Sequence, residues 1–501
     1  AGLPLRLTRN ANLAMSGRPW AAAAALALFS TACAAPAPVV ITPTPSPEVV
    51  LPLEGATPLP TRTAFPPGEL VPYLAQSGDT LPAVAVHFNT TVDEILAANP
   101  NVPADVTTLP PGYPMQIPAY YQPLTGSPFH ILPDSEVVNG PGAVGFDVRQ
   151  EIEKRTGFLA GLSDYAYRRE RPAWEVVQSV AVAYSIHPRL LLTLLEHRTQ
   201  ALTLPFAEGE GAVYPLDYPS TRYRGLFRQL LWVAERVNQG YYGWRTGRMK
   251  EFETSDGLIV RPDPWLNAGT VAVQYALAGM LPKEEFEVAV SPAGLFTTYV
   301  RLWGDPFALE VELIPGNLQQ PELGLPFLPN RIWEFTGGPH SSWGTSLPWG
   351  ALDFAPPAVA TGCAESGEWI AAPAGGAIVR SQDAAVVLDL DGDADDRTGW
   401  SLFFYHVADW ERTAAGTELE QGGVIGHPSC EGGQASGTHF HVARRYNGEW
   451  LSVIGPPAFV LDGWVPTEGT LPYVGTLVKG SITVPACDCT SAANRILYQF
   501  P

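Results

Sequence analysis

Apolar residues recur with a helical period just after Thr80: Leu81, Val84, Ala85 and Phe88 stand at i, i+3, i+4 and i+7. A second run carries Ile95 and Leu96, and Thr80 and Thr91 each precede a run that a side-chain oxygen there can cap. Short strands at residues 73–77 and 113–118 would flank this pair, which predicts a strand-helix-helix-strand unit over about 71–118. The helical period returns over 141–325, in stretches such as RPAWEVVQSVAVAYSIHPRLLLTLLEHRTQALT, broken at His187-Pro188, and AGTVAVQYALAGML. That predicts an all-helical middle domain. From about residue 326 to 501 the pattern changes to alternating runs, AAVVLDL, SLFFYHVA and THFHVARRY, separated by Gly and Pro, as in an antiparallel β domain. The expected fold class is therefore multidomain α+β.

Length agrees with this division, because 501 residues exceed one ordinary core and suggest about three units plus tails. A formal net charge of -20 would repel polyphosphate backbones, so nucleic acid is not an expected partner. Residues 1–33 read as upstream residues followed by an export segment: Arg18 precedes an apolar run ending at Phe29, with small residues up to Cys33. The run is too short to span a membrane, and Ser30-Thr31-Ala32-Cys33 resembles a lipoprotein cleavage site in which Cys33 is lipidated. Either a lipid anchor in the membrane or secretion to the extracellular cell envelope would follow. Proline every few residues over 34–70 predicts an extended linker. With Cys33 acylated, Cys363, Cys430, Cys487 and Cys489 allow three pairings. Cys363 with Cys430 is the expected pair, both lying in loops of the last domain, since a bond between Cys487 and Cys489 would close a strained ring.

The first unit resembles the LysM module: Gly78-Asp79-Thr80-Leu81 follows its first strand, Phe88-Asn89-Thr90-Thr91 lies between the helices, Asn99-Pro100 ends the second helix and Gly112 precedes the last strand. The resemblance implies binding of N-acetylglucosamine-containing glycans, with Gly78, Asp79 and Thr80 on one side of a shallow groove and residues 109–112 near the other. For Asp79 and Thr80 a plain helix-capping role is the competing reading. The start of the helical domain is similar to lysozyme-like lytic transglycosylases, but Arg198-Thr199 stands where those enzymes carry a catalytic Glu-Ser pair. Glu196 would lie on another face of the helix as a surface residue, so this domain is expected to be a degenerate scaffold.

The last domain carries the chemistry. In Gly437-Thr438-His439-Phe440-His441, strand alternation puts both histidines on one face and Phe440 on the other. With Gly432-Gly433 upstream, this resembles the closing motif of lysostaphin-like (LytM-like) zinc endopeptidases of peptidoglycan, which implies that His439 assists catalysis and His441 binds Zn2+. Phe403-Phe404-Tyr405-His406 is similar to the strand that ends in a second catalytic histidine, with Phe404 and His406 expected on one face. The family pattern His-x-Gly-x-Asp places Asp353 on zinc, but Trp349 occupies the histidine position and indole offers no lone pair. His340, expected on a Gly-rich loop, is the nearest replacement, so the expected set is His340, Asp353 and His441 on zinc, with His406 and His439 acting on water and developing charge. A metal-free peptidoglycan-binding scaffold that activates another hydrolase is the alternative function. The acidic run DLDGDADD at residues 389–396 lacks EF-hand spacing and reads as a solvated hairpin loop.

Overall fold

The computed structural model describes residues 62–121, 126–357, 362–489 and 491–498. Cys33, the export segment and most of the Pro-rich linker lie outside these residues. Glu69–Leu74 (β1) pairs antiparallel with Pro114–Ala119 (β2), and between them run Leu81–His87 (α1) and Val92–Ala98 (α2). The first strand starts four residues earlier than its apolar pattern indicated. Thr80 accepts from the Ala83 amide at 3.3 Å and caps α1. Thr91 and Glu94 form a reciprocal capping box at the start of α2. Val84, Phe88, Ile95, Leu109 and Ile117 fill a small core of their own.

The next region is helix-dominated rather than all-helical. Val148–Glu153 (α3) is followed by a hairpin of Ser163–Ala166 (β3) and Arg169–Pro172 (β4), then Ala173–Tyr184 (α4) and Pro188–Thr199 (α5). Leu226–Arg245 (α6) leads to a second hairpin, Phe252–Glu253 (β5) with Ile259–Val260 (β6). Ala268–Ala278 (α7), Lys283–Ala289 (α8) and Thr297–Trp303 (α9) complete it. Ser185 is left-handed and His187 caps α5, which accounts for the break at His187-Pro188. Glu196 corrects the surface expectation: it is fully buried and accepts from the Leu202 amide at 2.9 Å and the Thr203 hydroxyl at 2.6 Å, closing the turn after α5.

In the last region come Ile332–Ser341 (β7), Trp349–Ala355 (β8), Ile370–Ala371 (β9), Gly376–Gln382 (β10), Ala385–Asp389 (β11), Trp400–Tyr405 (β12), Glu418–Leu419 (β13), Val424–Gly426 (β14), Phe440–Tyr446 (β15), Glu449–Trp450 (β16), Val465–Glu468 (β17), Gly475–Lys479 (β18), Ile482–Pro485 (β19) and Arg495–Leu497 (β20). The main sheet runs β13-β10-β11-β12-β15-β8-β7-β20, with β16 on β15. Alternation sorts its residues cleanly. Leu352, Phe354, Leu402, Phe404, Phe440 and Val442 form the inner core with Trp333 and Phe327. Ala351, Phe403, Ala443 and Trp450 face the other way and join the core of the helical region. The helices thus cover part of the face that carries Asp353 and His441.

Candidate metal centre and active site

Strand register builds the centre. Tyr405, His441, Asp353 and Gly337 lie side by side across β12, β15, β8 and β7. Gly337 opposes Asp353 because nothing larger fits: an added Cβ would stand 2.4 Å from the Asp353 carboxylate. The β7–β8 pairing slips at three places between Phe335 and Ser341, so bulges around Gly337-Gly338-Pro339 re-aim His340 toward this row. His340 is therefore a strand residue, not part of the Gly-rich loop that its neighbours suggested. Glycine and proline act here as bulge formers inside a strand.

The ring nitrogens are assigned by their partners. His340 donates from Nδ1 to the Gly338 carbonyl at 2.8 Å, and His441 donates from Nε2 to the Ser342 carbonyl at 3.0 Å. A carbonyl only accepts, so His340 Nε2 and His441 Nδ1 carry the free lone pairs of the neutral rings. These two atoms are 3.0 Å apart and lie 3.2 and 3.4 Å from Asp353 Oδ1. That oxygen is buried and has no hydrogen-bond partner. Three acceptor atoms converging in a buried site repel one another unless a proton or a cation lies among them. Their donor set, two imidazoles and a carboxylate braced by backbone carbonyls, fits a catalytic zinc.

Charge around the triad follows the same logic. Burial alone would raise the Asp353 carboxyl, but the charge His340 carries once a proton also occupies its Nε2 holds that carboxyl well below the usual range. Burial works against protonation of His340, yet the Asp353 charge outweighs it and raises that pKa. His441 is lowered, chiefly by burial.

His406 and His439 form a second pair, with ring centroids 4.5 Å apart. Each donates from Nδ1 to a carbonyl, Glu431 at 2.7 Å and Gly437 at 2.8 Å, which leaves both Nε2 atoms free. His406 lies one residue past β12 with φ of 61°, so the strand alternation that would have put it with Phe404 ends there. Phe404 is in the inner core while His406 turns to His439. Burial, followed by the neighbouring His439 charge, lowers His406 to about 4, so it is neutral at neutral pH. His427 stands apart, stacked on Trp410 at 3.8 Å.

Trp349 sits under the Arg248 guanidinium, 4.5 Å from its ring centroid, and is not among the three converging residues. Tyr473, which no sequence pattern marked, stacks on His340 at 4.1 Å. It reaches the site from the loop joining β17 to β18, and its backbone exchanges hydrogen bonds with Gly338 and Pro339. The structure bonds Cys363 to Cys430 and, against expectation, Cys487 to Cys489. Among the described residues a second carboxylate cluster, Asp389, Asp391 and Asp393, is partly bonded to backbone amides of its own hairpin loop.

The expected glycan-binding residues are placed differently from an open groove. Asp79 is buried and accepts from the Tyr73 hydroxyl at 2.5 Å and the Gln76 amide at 2.8 Å. Thr80 is the α1 cap, and Gly78 is pressed against the Arg245 guanidinium.

Comparison with known proteins adds independent findings. Residues 73–118 match the LysM domain family model, and residues 130–316 match the model for the LasA N-terminal domain. Protease LasA of Pseudomonas aeruginosa PAO1 is 26% identical over 366 residues, covering 68% of this chain and 78% of the relative. Protease LasA of strain UCBPP-PA14 is 26% identical over 369 residues, with the same coverage. Among solved structures, the M23 metalloprotease pseudoalterin from the deep sea is 22% identical, covering 34% of this chain and 96% of that one, with a TM-score of 0.29. The catalytic domain of lysostaphin from Staphylococcus simulans is 17% identical, covering 25% and 90%, with a TM-score of 0.18. The chain thus carries a LysM match ahead of a region that matches the LasA N-terminal domain, and over about two thirds of its length it is similar to Protease LasA.

Proposed function

We propose that this chain is a zinc metalloendopeptidase of the cell envelope that cleaves peptide cross-links of peptidoglycan, with its LysM module directed at the glycan strands. The observation that carries the reading is the convergence of His340 Nε2, His441 Nδ1 and Asp353 Oδ1, three buried acceptors that a cation would reconcile. Zinc held there would act as a Lewis acid on water and on the scissile carbonyl. The Gly338 and Ser342 carbonyls fix the tautomers of His340 and His441, so their lone pairs are oriented before any metal arrives. His406 and His439 each hold a free Nε2 beside the triad, positioned to take a proton from the attacking water and later return one to the leaving amine. Tyr473 forms a wall over His340, where its hydroxyl can meet a substrate carbonyl. Export, by a lipid on Cys33 or by secretion, completes the proposal. No helix among the described residues is long and apolar enough to cross a membrane.

The test is metal analysis of the purified chain combined with mass spectrometry of digested cell walls. Zinc near one equivalent and newly released peptide termini are expected. A folded chain that takes up no zinc would instead favour the non-enzymatic scaffold.

A further inference from the structure

The two loops expected to border the glycan groove are bridged by the chain's own residues 313–318, which connect the helical region to the sheet. On one side, the Ile314 amide donates to Ser77 Oγ at 2.8 Å, and that hydroxyl donates back to the Ile314 carbonyl at 3.1 Å. On the other, Thr108 Oγ1 donates to the Pro315 carbonyl at 2.7 Å and accepts from the Leu318 amide at 2.9 Å. The Thr108 carbonyl accepts from Asn317 at 2.8 Å, and Thr107 donates to Leu318 at 2.7 Å. The fit is close: a Cβ on Gly316 would stand 2.6 Å from Pro110. A cavity of about 680 Å³ opens against Gln76, Ser77, Pro111 and Gly112 beside β1 and β2, but where Gly78, Thr80, Thr108, Ile314 and Leu318 meet Arg245 and residues 449–457 the void is only about 50 Å³, against roughly 300–1,000 Å³ for small-molecule sites. A sugar ring does not fit there.

We propose that residues 313–318 are a built-in plug of the LysM groove, so that the intact chain holds its binding of N-acetylglucosamine oligomers latent until this connector is displaced. The inference rests on the glycan-binding reading of the LysM module. The plug is seated by hydrogen bonds from backbone groups and three hydroxyls, which a polar saccharide can satisfy in its place, and by the buried side chains of Leu313, Ile314 and Leu318, whose exposure the incoming glycan must offset. If the unplugged form is a small fraction of the population, apparent affinity falls by that fraction.

The test uses the full chain and chitohexaose. Gly316→Glu drives a side chain into Pro110 and should lift affinity at least tenfold, while hydrogen exchange at Ile314, Asn317 and Leu318 becomes fast. In the wild type, saturating chitohexaose should speed exchange at the same three amides. If Gly316→Glu fails to fold, this wild-type response decides alone: binding without faster exchange overturns the plug. A folded Gly316→Glu with fast exchange that binds only as well as wild type also overturns it, leaving the LysM reading intact. With the connector demonstrably released and still no binding in either protein, the plug and the glycan reading fall together.

Discussion

His340, Trp349 and His439 separate three roles that share a few ångströms of the sheet. His340→Ala removes one of three converging acceptors, so zinc content and wall cleavage should be lost together, because two protein groups hold zinc poorly. His439→Ala leaves those acceptors untouched, and should keep the metal while turnover drops by about 10²–10⁴-fold, the range of general acid–base assistance. Trp349→Ala should leave zinc near normal, since Trp349 meets Arg248 and not the triad. Equal zinc in wild type and His340→Ala would refute the assignment. That His441 faces away from Phe440 and the inner core could be read in advance because alternation along a strand is a local rule. The strand setting of His340 could not, since it depends on bulges that only the β7–β8 pairing reveals. Tyr473 left no trace at all, being delivered by a loop distant in sequence.

Loops that hold the second histidine pair are tied by the Cys363–Cys430 bond. The Gly362 and Ala364 carbonyls accept from Thr438, next to His439, and the Glu431 carbonyl accepts from His406. Replacing both cysteines by serine should cost about 2–4 kcal/mol, read as a lower urea midpoint, and should reduce kcat more than zinc content. The helix caps at Thr80 and Thr91 were legible because capping is short-range, whereas the burial of Asp79 depends on Tyr73 and on elements far along the chain. Burial raises Asp79 to about 6, opposed by the Tyr73 and Gln76 hydrogen bonds. Its folded pKa then exceeds the unfolded value of about 3.9, so its contribution is fully present below about pH 4 and is lost as pH rises through 6, by up to about 3 kcal/mol. Asp79→Asn should flatten that part of the stability profile between pH 4 and 7. Parallel wild-type and variant profiles across that range would show that Asp79 titrates normally.

Three regions meet at the Arg245 side chain, which is nine-tenths buried. From the end of α6 it donates to the Ser77 carbonyl of the LysM module, to Asp134 at 2.6 Å and to Glu449 in the sheet region at 2.9 Å. Tyr241 donates to the same Glu449 at 2.8 Å. Nearby, His87 of α1 stacks on Trp244 at 3.7 Å, and burial lowers its pKa to about 3, so this contact is made by a neutral ring. No pattern along the chain marked Arg245, since its partners are 111, 168 and 204 residues away. Arg245→Ala would leave the Asp134 and Glu449 carboxylates buried without their cation, a change that typically costs about 3–5 kcal/mol. Because the lost contacts join regions that each have a core, the loss should appear as uncoupling: one calorimetric transition in the wild type, and an earlier, separate transition of the LysM module in the variant. Arg245→Lys should fall between the two, since an ammonium keeps the charge but cannot span three acceptors with a planar fork. Hydrogen exchange would locate the early transition, which should begin at Ser77 and the first turn of α1. A single transition in Arg245→Ala with an unchanged midpoint would mean that apolar packing, including the His87–Trp244 stack, is enough to hold the three regions together.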